Sequence, residues 1–416
     1  MMILFYILAA VLILFSFRSF RGGISFLRYV KSELAKPRSL FTPLVSVFVP
    51  CKGLDEGIEQ NLRALFEQDY PEYEVIFVVD DKNDTAVRVI EKISCTTSKR
   101  ARLVIAPKAT ESAQKVENLR EAVLHVADES RVFVFADSDA RPPKDWLASL
   151  VAPLEDEQVG AATGYRWFIS PEPSFASELR SAWNASIASA LGPNLKSNFC
   201  WGGSTAICRD VFESIDMREK WRGTLSDDFA VTRAVKAAGL SIYFVPKALI
   251  ASVERCTFKE LFEFTTRQMK ITRVYAPQLW KLSFFGSGLF NATLVWATII
   301  LFTSASGNIP FWIAAATVFL VAFFSIGKSR LRLKAVRFIL TDYEAELRGQ
   351  FIPQNSLWLL APAVFLYNCV AAGLSRKMTW RNVQYQLVSA SETKILGRTD
   401  GSKLHLINDP IDVKID

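Results

Sequence analysis

Two aspartates one residue apart, Asp137 and Asp139, directly follow the apolar run Val132–Ala136. The β-branched and aromatic residues of that run predict a buried strand, and open α/β sheets bind ligands at the carboxyl ends of their strands. At about 4 Å two such charges repel by roughly 4 kcal/mol at an effective dielectric constant near 20. A divalent cation would remove this repulsion, so the pair is a candidate metal site. The alternative is a strand-end turn with two solvated aspartates.

A second acidic group, Asp80, Asp81 and Asp84, follows the apolar run Tyr73–Val79. At the carboxyl end of a strand, one of these carboxylates could accept a hydrogen bond from a nucleotide base or ribose. Asp84 also precedes a predicted helix, and aspartate is a favoured N-cap. Both interpretations of Asp84 stay open.

A third acidic pair, Asp227 and Asp228, follows Ser226. Serine is a good N-cap, and the helix dipole favours acidic residues in the first turn. That helix start explains one of the two carboxylates. The second is free to act as a general base.

Cations that could bind phosphate occur in two segments. Lys115 and Asn118 open a predicted helix, where backbone N–H groups also favour a diphosphate, although Lys115 could instead be a solvated helix residue. Arg267, Lys270 and Arg273 place a cation at every third position and share a face if the segment is helical. This row would either neutralise phosphates or contact anionic lipids.

The elements that must position these residues alternate between strand and helix from 44 to 250. Short apolar runs predict strands at 45–49, 73–79, 101–105 and 132–136, and helical spacing predicts helices at 58–66, 84–93 and 115–126. Strands and helices in this order favour a parallel sheet with right-handed crossovers.

Apolar segments flank this region on both sides. Residues 1–17 form an uninterrupted apolar stretch without a preceding basic residue or a following cleavage site, which predicts a retained anchor. Runs at 283–303 and 310–327 are long enough to span a bilayer. A third run at 356–374 contains Pro362 and has basic residues on its carboxyl side, which favours a broken or interfacial segment. The basic residues that follow the anchor place the N-terminus outside and the next domain in the cytoplasm.

The composition limits the class of protein. Half of the 416 residues are hydrophobic, which fits a chain that is part soluble and part embedded in a lipid bilayer. The net charge of +7 is modest and the basic residues lie beside apolar segments, which favours a membrane surface over nucleic acid. The six cysteines form no CxxC pair and there are only two histidines, so a zinc site is not expected. Cysteines dispersed in this way are typical of a protein in a reducing compartment.

Three stretches of this sequence resemble an inverting family 2 glycosyltransferase, most closely the ceramide glucosyltransferase group. They are Val45-Ser-Val-Phe-Val-Pro-Cys-Lys52-Gly, the segment 66–75 with its Asp-Tyr-Pro-Glu-Tyr-Glu-Val run, and the segment from Trp380-Arg381 to Tyr385. The likeness covers nearly the whole chain. It implies an α/β GT-A-like fold with an N-terminal anchor (1–20), a cytoplasmic glycosyltransferase domain (40–282), a C-terminal membrane region (283–385) and a cytoplasmic tail (386–416).

The resemblance also implies an activity, the transfer of a hexose from a UDP-hexose to the hydroxyl of a membrane lipid, ceramide or similar. Asp228 would be the general base, and Asp137 and Asp139 would hold Mn²⁺ or Mg²⁺ and the diphosphate. The remaining donor-binding residues implied in this way are Lys52, Asp81, Asp84, Lys115, Asn118, Arg267 and Lys270.

One motif departs from the family pattern Gln/Arg-x-x-Arg-Trp, since this chain has Lys270 and Ile271 at its end. Lysine is a point charge without a bidentate fork, and isoleucine cannot stack on a sugar. Three alternatives therefore stay open: a transferase for another membrane lipid, a processive polysaccharide synthase, and an inactive membrane protein that binds lipid or nucleotide. The synthase would need more spans and usually a stacking tryptophan.

Overall fold

The computed structural model describes the backbone of residues 2–400 and 403–406 and the side chains of residues 2–399. Its centre is a seven-stranded sheet in the order β3-β2-β1-β4-β6-β5-β7. The strands are β1 (Val45–Pro50), β2 (Tyr73–Val79), β3 (Arg100–Ile105), β4 (Val132–Ala136), β5 (Val159–Ile169), β6 (Ser204–Cys208) and β7 (Ser241–Val253).

The helices within these residues are α1 (Met2–Leu34), α2 (Ile58–Phe66), α3 (Thr85–Ser94), α4 (Gln114–Ala122), α5 (Trp146–Val151), α6 (Phe175–Ala188), α7 (Arg209–Ser214), α8 (Met217–Lys220), α9 (Asp227–Ala237), α10 (Phe258–Tyr275), α11 (Pro277–Thr303), α12 (Ile309–Arg337), α13 (Glu344–Gly349), α14 (Phe351–Ser356) and α15 (Ala361–Leu374). Two short 3₁₀ helices cover Ala152–Glu155 and Thr341–Tyr343.

The sheet is mixed, with its polar loops gathered at one edge. β1 pairs in parallel with β2 and β4, and β2 with β3, while β6 runs antiparallel to both β4 and β5. The carboxyl ends of β1, β2 and β4 therefore meet at the same edge, where the acidic loops begin. The predicted α/β class is confirmed, and the four predicted strands are present to within one residue at each end.

Both faces of the sheet are covered, as expected for a sheet with parallel crossovers. Because side chains alternate along a strand, Val45, Val47 and Val49 of β1 join one core cluster and Phe48 joins the other. The polar Ser46 is buried and is satisfied by hydrogen bonds of 2.7 Å to Glu74 and Ser130. The edge of the sheet where the acidic loops begin is therefore supported by a hydrophobic core on each face.

Three helices among the described residues are long and apolar enough to span a membrane, α1, α11 and α12. Helix α1 continues past the predicted anchor to Leu34, because its second half packs against α12, where Gly23 lies against Lys328. The third apolar run is interrupted: α14 ends at Ser356 and α15 begins at Ala361 with Pro362 in its first turn. A broken or interfacial segment was predicted for this run, and the helix is broken between Ser356 and Ala361.

A second, four-stranded antiparallel sheet follows α15, in the order β11-β10-β9-β8. Its strands are β8 (Lys377–Trp380), β9 (Val383–Ser389), β10 (Glu392–Asp400) and β11 (Lys403–Leu406). The predicted boundary between membrane region and tail, after residue 385, falls inside β9. The sheet forms because its inward residues, including Tyr385 and Leu387, are buried in the core cluster that also contains Phe48.

Candidate active site

A large cavity of about 1660 Å³ opens at the carboxyl edge of the main sheet. This volume exceeds the range of about 300–1,000 Å³ that is usual for small-molecule sites. One end is polar and is lined by Asp80, Asp137, Asp228 and Arg267, among others. The cavity is therefore large enough for two substrates.

The other end of the cavity is apolar and reaches the membrane helices. Trp183 of α6 stacks on Phe365 of α15 with ring centroids 4.7 Å apart, and both line the cavity with Phe264 of α10. Leu279 and Ser283 of α11, which is long enough to span a membrane, continue this wall. The cavity thus joins the acidic loops to an apolar surface beside a membrane helix.

Asp137 and Asp139 lie at the end of β4, as predicted, and a guanidinium bridges them. Arg166 of β5 donates to Asp137 at 3.0 Å and to Asp139 at 3.3 Å. Burial favours the neutral form of Asp137, but Lys115 and Arg166 outweigh it and lower the pKa of Asp137. Burial raises the pKa of Asp139, because Arg166 offsets it only in part and the Asp137 charge adds to it.

Asp137 and Asp139 offer an oxygen for a divalent cation. Oδ1 of Asp139 is buried and has no hydrogen-bond partner among the described residues, so it is an oxygen that a cation could coordinate. No group of three or more His, Cys, Asp or Glu side chains suited to a metal occurs in that part of the chain. Mg²⁺, however, is usually bound by one or two carboxylates together with substrate phosphates. The residues present fit a cation that is shared with a diphosphate.

Lys115, the second residue of α4, lies between two carboxylates with 16% of its side chain exposed. Its Nζ lies 2.7 Å from Asp137 and 3.2 Å from Asp227. Burial would lower the pKa of Lys115, but these two carboxylates raise it. Burial also raises the pKa of Asp227 to about 6. Lys115 therefore links the second and third acidic groups and is not a solvated helix residue.

This close approach requires glycine at 202. A Cβ at Gly202 would overlap Asp227 Oδ2 and lie 2.9 Å from Lys115 Nζ. At the next residue, Gly203, a Cβ would overlap the Trp201 ring and lie 2.8 Å from Asp137 Oδ2. The paired glycines thus allow the start of α9 to pack against the loop that precedes β6.

Asp228 lines the cavity at the first turn of α9. Its Oδ1 accepts hydrogen bonds from the Ser226 hydroxyl and, at 2.7 Å, from the Phe229 backbone N–H. Its Oδ2 accepts none from the described residues. The local sequence explains this arrangement, because Ser226 caps the helix while Asp227 is bound by Lys115, which leaves one carboxylate oxygen of Asp228 facing the cavity.

The first acidic group divides into cavity residues and a cap. Asp80 is buried, and its carboxylate forms ion pairs with Nζ of Lys52 at 2.7 Å and Nζ of Lys108 at 3.0 Å. Burial would raise the pKa of Asp80, but the two lysines outweigh it and lower that pKa. Asp81 also lines the cavity. Asp84 caps α3 by accepting from Ala86 N–H, and it is not among the residues that line the cavity. The structure thus shows the cap, and it links Asp84 to the cavity through the lining residue Lys52, whose Nζ lies 3.5 Å from Asp84 Oδ2.

The remaining predicted residues lie in different places. Asn118 lines the cavity and accepts from Gln114 at 3.0 Å. Arg267 lines it as well, with its guanidinium 5.1 Å from the centre of the Trp380 ring. Lys270 instead donates to the backbone carbonyl of Lys377 and is not a lining residue. The predicted row of cations on α10 therefore divides, with Arg267 in the cavity and Lys270 binding β8.

Several lining residues were not among the predicted site residues, chiefly Arg166, Arg381 and Arg398. Arg166 had one available signal, a charged residue within the otherwise apolar run of β5. Arg381 lay in the Trp-Arg segment that supported the resemblance, but no role was attached to it.

A family model, Glycosyl transferase family 21, matches residues 5–393. The chain belongs to this family. The glycosyltransferase assignment from the sequence is therefore confirmed, with family 21 in place of family 2. The mixed sheet of this family 21 glycosyltransferase agrees with the predicted GT-A-like fold, and its membrane-length helices agree with the predicted membrane segments.

Individual proteins similar to this glycosyltransferase include a ceramide glucosyltransferase of Komagataella phaffii, 39% identical over 49 residues, which are 12% of this chain and 10% of that protein. A mannosyltransferase of Pyrobaculum calidifontis solved with GDP-Man and Mn²⁺ is 18% identical, with a TM-score of 0.43 over 87% of this chain and 99% of its own. GalNAc-T7 solved with UDP, GalNAc and Mn²⁺ is 14% identical, with a TM-score of 0.41 over 53% and 45%. These values are too low to transfer a donor, an acceptor or a metal to this chain.

Proposed function

We propose that this protein transfers a hexose from a UDP-sugar to the hydroxyl of a membrane lipid, ceramide or similar, with inversion at the anomeric carbon. The observation that carries the proposal is one continuous cavity that joins the acidic loops to an apolar end beside α11. A soluble nucleotide sugar suits the charged end, and a lipid that stays in the bilayer suits the apolar end. Binding both in one cavity turns a dilute encounter into a positioned one.

Asp228 is the general base in this proposal. Its free Oδ2 accepts the proton of the lipid hydroxyl as that oxygen bonds to the anomeric carbon. The bond from the anomeric carbon to the diphosphate breaks on the opposite face, and UDP leaves with the electron pair. Proton transfer at a positioned carboxylate usually contributes about 10²–10⁴-fold to a rate.

The leaving diphosphate carries negative charge that the basic residues of the cavity stabilise. Arg166 and Arg267 present guanidinium groups, which match phosphate oxygens in a bidentate fork. Asp137 and Asp139 would hold Mn²⁺ or Mg²⁺, which when bound neutralises charge on the diphosphate. Asp80 and Asp81, which line the cavity, would accept hydrogen bonds from the nucleoside.

The catalytic domain faces the cytoplasm in this proposal. Basic residues follow the apolar part of α1 and also the apolar part of α12, and such residues favour the cytoplasmic side. A cytoplasmic domain also agrees with the six free cysteines.

The test replaces Asp228 by Asn in the purified full chain. We expect Asp228→Asn to lose glycolipid formation from a panel of UDP-sugars and lipids, identified by mass, while UDP binding by calorimetry is retained. Asp210→Asn is the matched control, because Asp210 is an exposed aspartate in the first turn of another helix. Wild-type turnover by Asp228→Asn would refute the base assignment. UDP binding by the wild type without product over the whole panel would favour an inactive binding protein.

A further inference from the structure

The C-terminal sheet forms one wall of the cavity at its polar end. Trp380, Arg381 and Tyr385 all line it. The sheet is fixed to the loop that leads into α4, because the Tyr385 hydroxyl accepts from Gln114 N–H at 3.1 Å and Arg398 donates to the carbonyl of Ala109 at 2.7 Å. The wall is therefore anchored beside the helix that carries Lys115.

A tight turn in this sheet directs one arginine to the acidic edge. β8 and β9 pair from Trp380 to Val383, so Arg381 and Asn382 are the two turn residues, with φ of 47° and 64°. Positive φ at both positions matches the turn type that suits two-residue hairpins, where Asn and Gly are favoured. An arginine is unusual there, and backbone strain of this kind tends to persist at functional sites.

The Arg381 guanidinium lies against the loop that follows β1. It donates to the carbonyl of Lys52 at 3.2 Å and forms an ion pair with Asp55. A guanidinium has five N–H donors, so these two partners leave others available. Asp55 in turn accepts from Ser138, between the two aspartates of the candidate metal site, at 2.7 Å.

Two further arginines face the same space. Arg166 is paired with Asp137 and Asp139, whereas Arg267 forms no ion pair with the described residues. Burial, together with the charges of Arg166 and Arg381, lowers the pKa of Arg267 to about 10. Cations that disfavour one another in this way would be stabilised by an anion between them.

We propose that Arg381, acting with Arg267, binds the diphosphate of the nucleotide donor, so that the C-terminal sheet is part of the donor site. The inference rests on the proposed function only in taking a nucleoside diphosphate as the ligand. It also assigns Trp380 a role, since its ring lies against the Arg267 guanidinium and holds it towards the cavity. Arg381 contacts the donor and Trp380 is a positioning residue.

The experiment compares the binding of UDP and of uridine to the full chain by calorimetry. The loss of a charge-assisted hydrogen bond to phosphate typically weakens binding by about tenfold or more. We expect Arg381→Ala to weaken UDP binding by at least about that factor and to leave uridine binding unchanged. Arg381→Lys keeps the positive charge but loses the bidentate geometry of the guanidinium, so its UDP affinity should lie between those of the wild type and Arg381→Ala.

Arg376→Ala is the matched control, because Arg376 is an exposed arginine just before β8 that donates only to the carbonyl of Val388 among the described residues. It removes the same charge from the same sheet and should leave UDP binding unchanged. Asp55→Asn removes the ion pair that holds Arg381 in place. If Arg381 had only a structural role, Asp55→Asn and Arg381→Ala would each weaken the binding of UDP and the binding of uridine by the same factor. Equal losses of UDP and uridine, or a change of less than twofold, would overturn the inference. Failure of the wild type to bind UDP would instead contradict the proposed donor, and the inference with it.

Discussion

Lys115 should stabilise the fold mainly by neutralising Asp227. Its Nζ lies 2.7 Å from Asp137 and 3.2 Å from Asp227. After Lys115→Met, Asp137 keeps Arg166 as a partner, whereas Asp227 loses its only ion pair among the described residues. Removing one partner of a buried ion pair typically costs about 3–5 kcal/mol. In a domain of this size that corresponds to a fall in melting temperature on the order of 10 °C.

The pH dependence of this loss distinguishes the charge from the packing. Burial already raises the pKa of Asp227 to about 6, and without Lys115 it should rise further. A carboxyl whose folded pKa exceeds its unfolded value stabilises the fold below the unfolded pKa and loses that contribution as pH rises through the folded pKa. Lys115→Met should therefore lower the melting temperature in detergent more at pH 8 than at pH 5.

Two further variants complete this test. Lys115→Met combined with Asp227→Asn should recover much of the loss at pH 8, because no unpaired carboxylate remains at 227. Lys108→Met is the control: Lys108 is half-exposed and its partner Asp80 keeps Lys52, so we expect little change. An equal loss at both pH values, or no recovery in the double variant, would refute the assignment of the effect to Asp227.

The remaining predictions concern the loops, the apolar end and the metal. Gly202→Ala should lower the free energy of unfolding by about 1–3 kcal/mol in denaturant titrations, because the new Cβ would overlap Asp227; unchanged stability would contradict the close packing. Asp84→Ala should cost about 1 kcal/mol as a lost N-cap and leave UDP affinity by calorimetry unchanged, whereas a strong loss of affinity would make Asp84 a ligand. Leu279→Asp should raise the KM for the lipid without changing UDP affinity, since it charges the apolar wall; an unchanged KM would place the acceptor elsewhere. Chelation of divalent cations should reduce UDP affinity and added Mn²⁺ should restore it, and equal affinity in both conditions would exclude a shared cation.

Local patterns in the sequence were sufficient for the main sheet and for the acidic loops at its edge. The alternation in β1 and the apolar run of β4 depend on neighbouring residues along the chain, and the strand-end position of Asp137 and Asp139 followed directly. The two interpretations of Asp84 could not be separated in this way. Whether a carboxylate caps a helix or faces a cavity depends on the direction of the loop, which the sequence pattern does not contain.

Residues from distant elements account for what sequence reasoning missed. Arg166 lies on β5 and Arg381 in the β8–β9 turn, and only the tertiary fold brings them to the acidic loops. Lys270 shows the converse. The shared face was conditional on a helix, and α10 is that helix, yet β8 packs beside α10 and its Lys377 carbonyl accepts from the Lys270 ammonium. A helical repeat predicts which residues share a face, but not what that face contacts.

The most direct test of the central claim is the anomeric configuration of the product formed by the wild-type protein. A UDP-hexose is linked through an α bond, so direct attack by a lipid hydroxyl from the opposite face gives a β-linked glycolipid. Purified protein should be incubated with a UDP-hexose, ceramide and Mn²⁺, and the product examined by mass and by NMR of the anomeric proton. We expect one hexose per lipid in a β linkage. An α-linked product, a polymer of hexoses, or bound UDP without any glycolipid would contradict it.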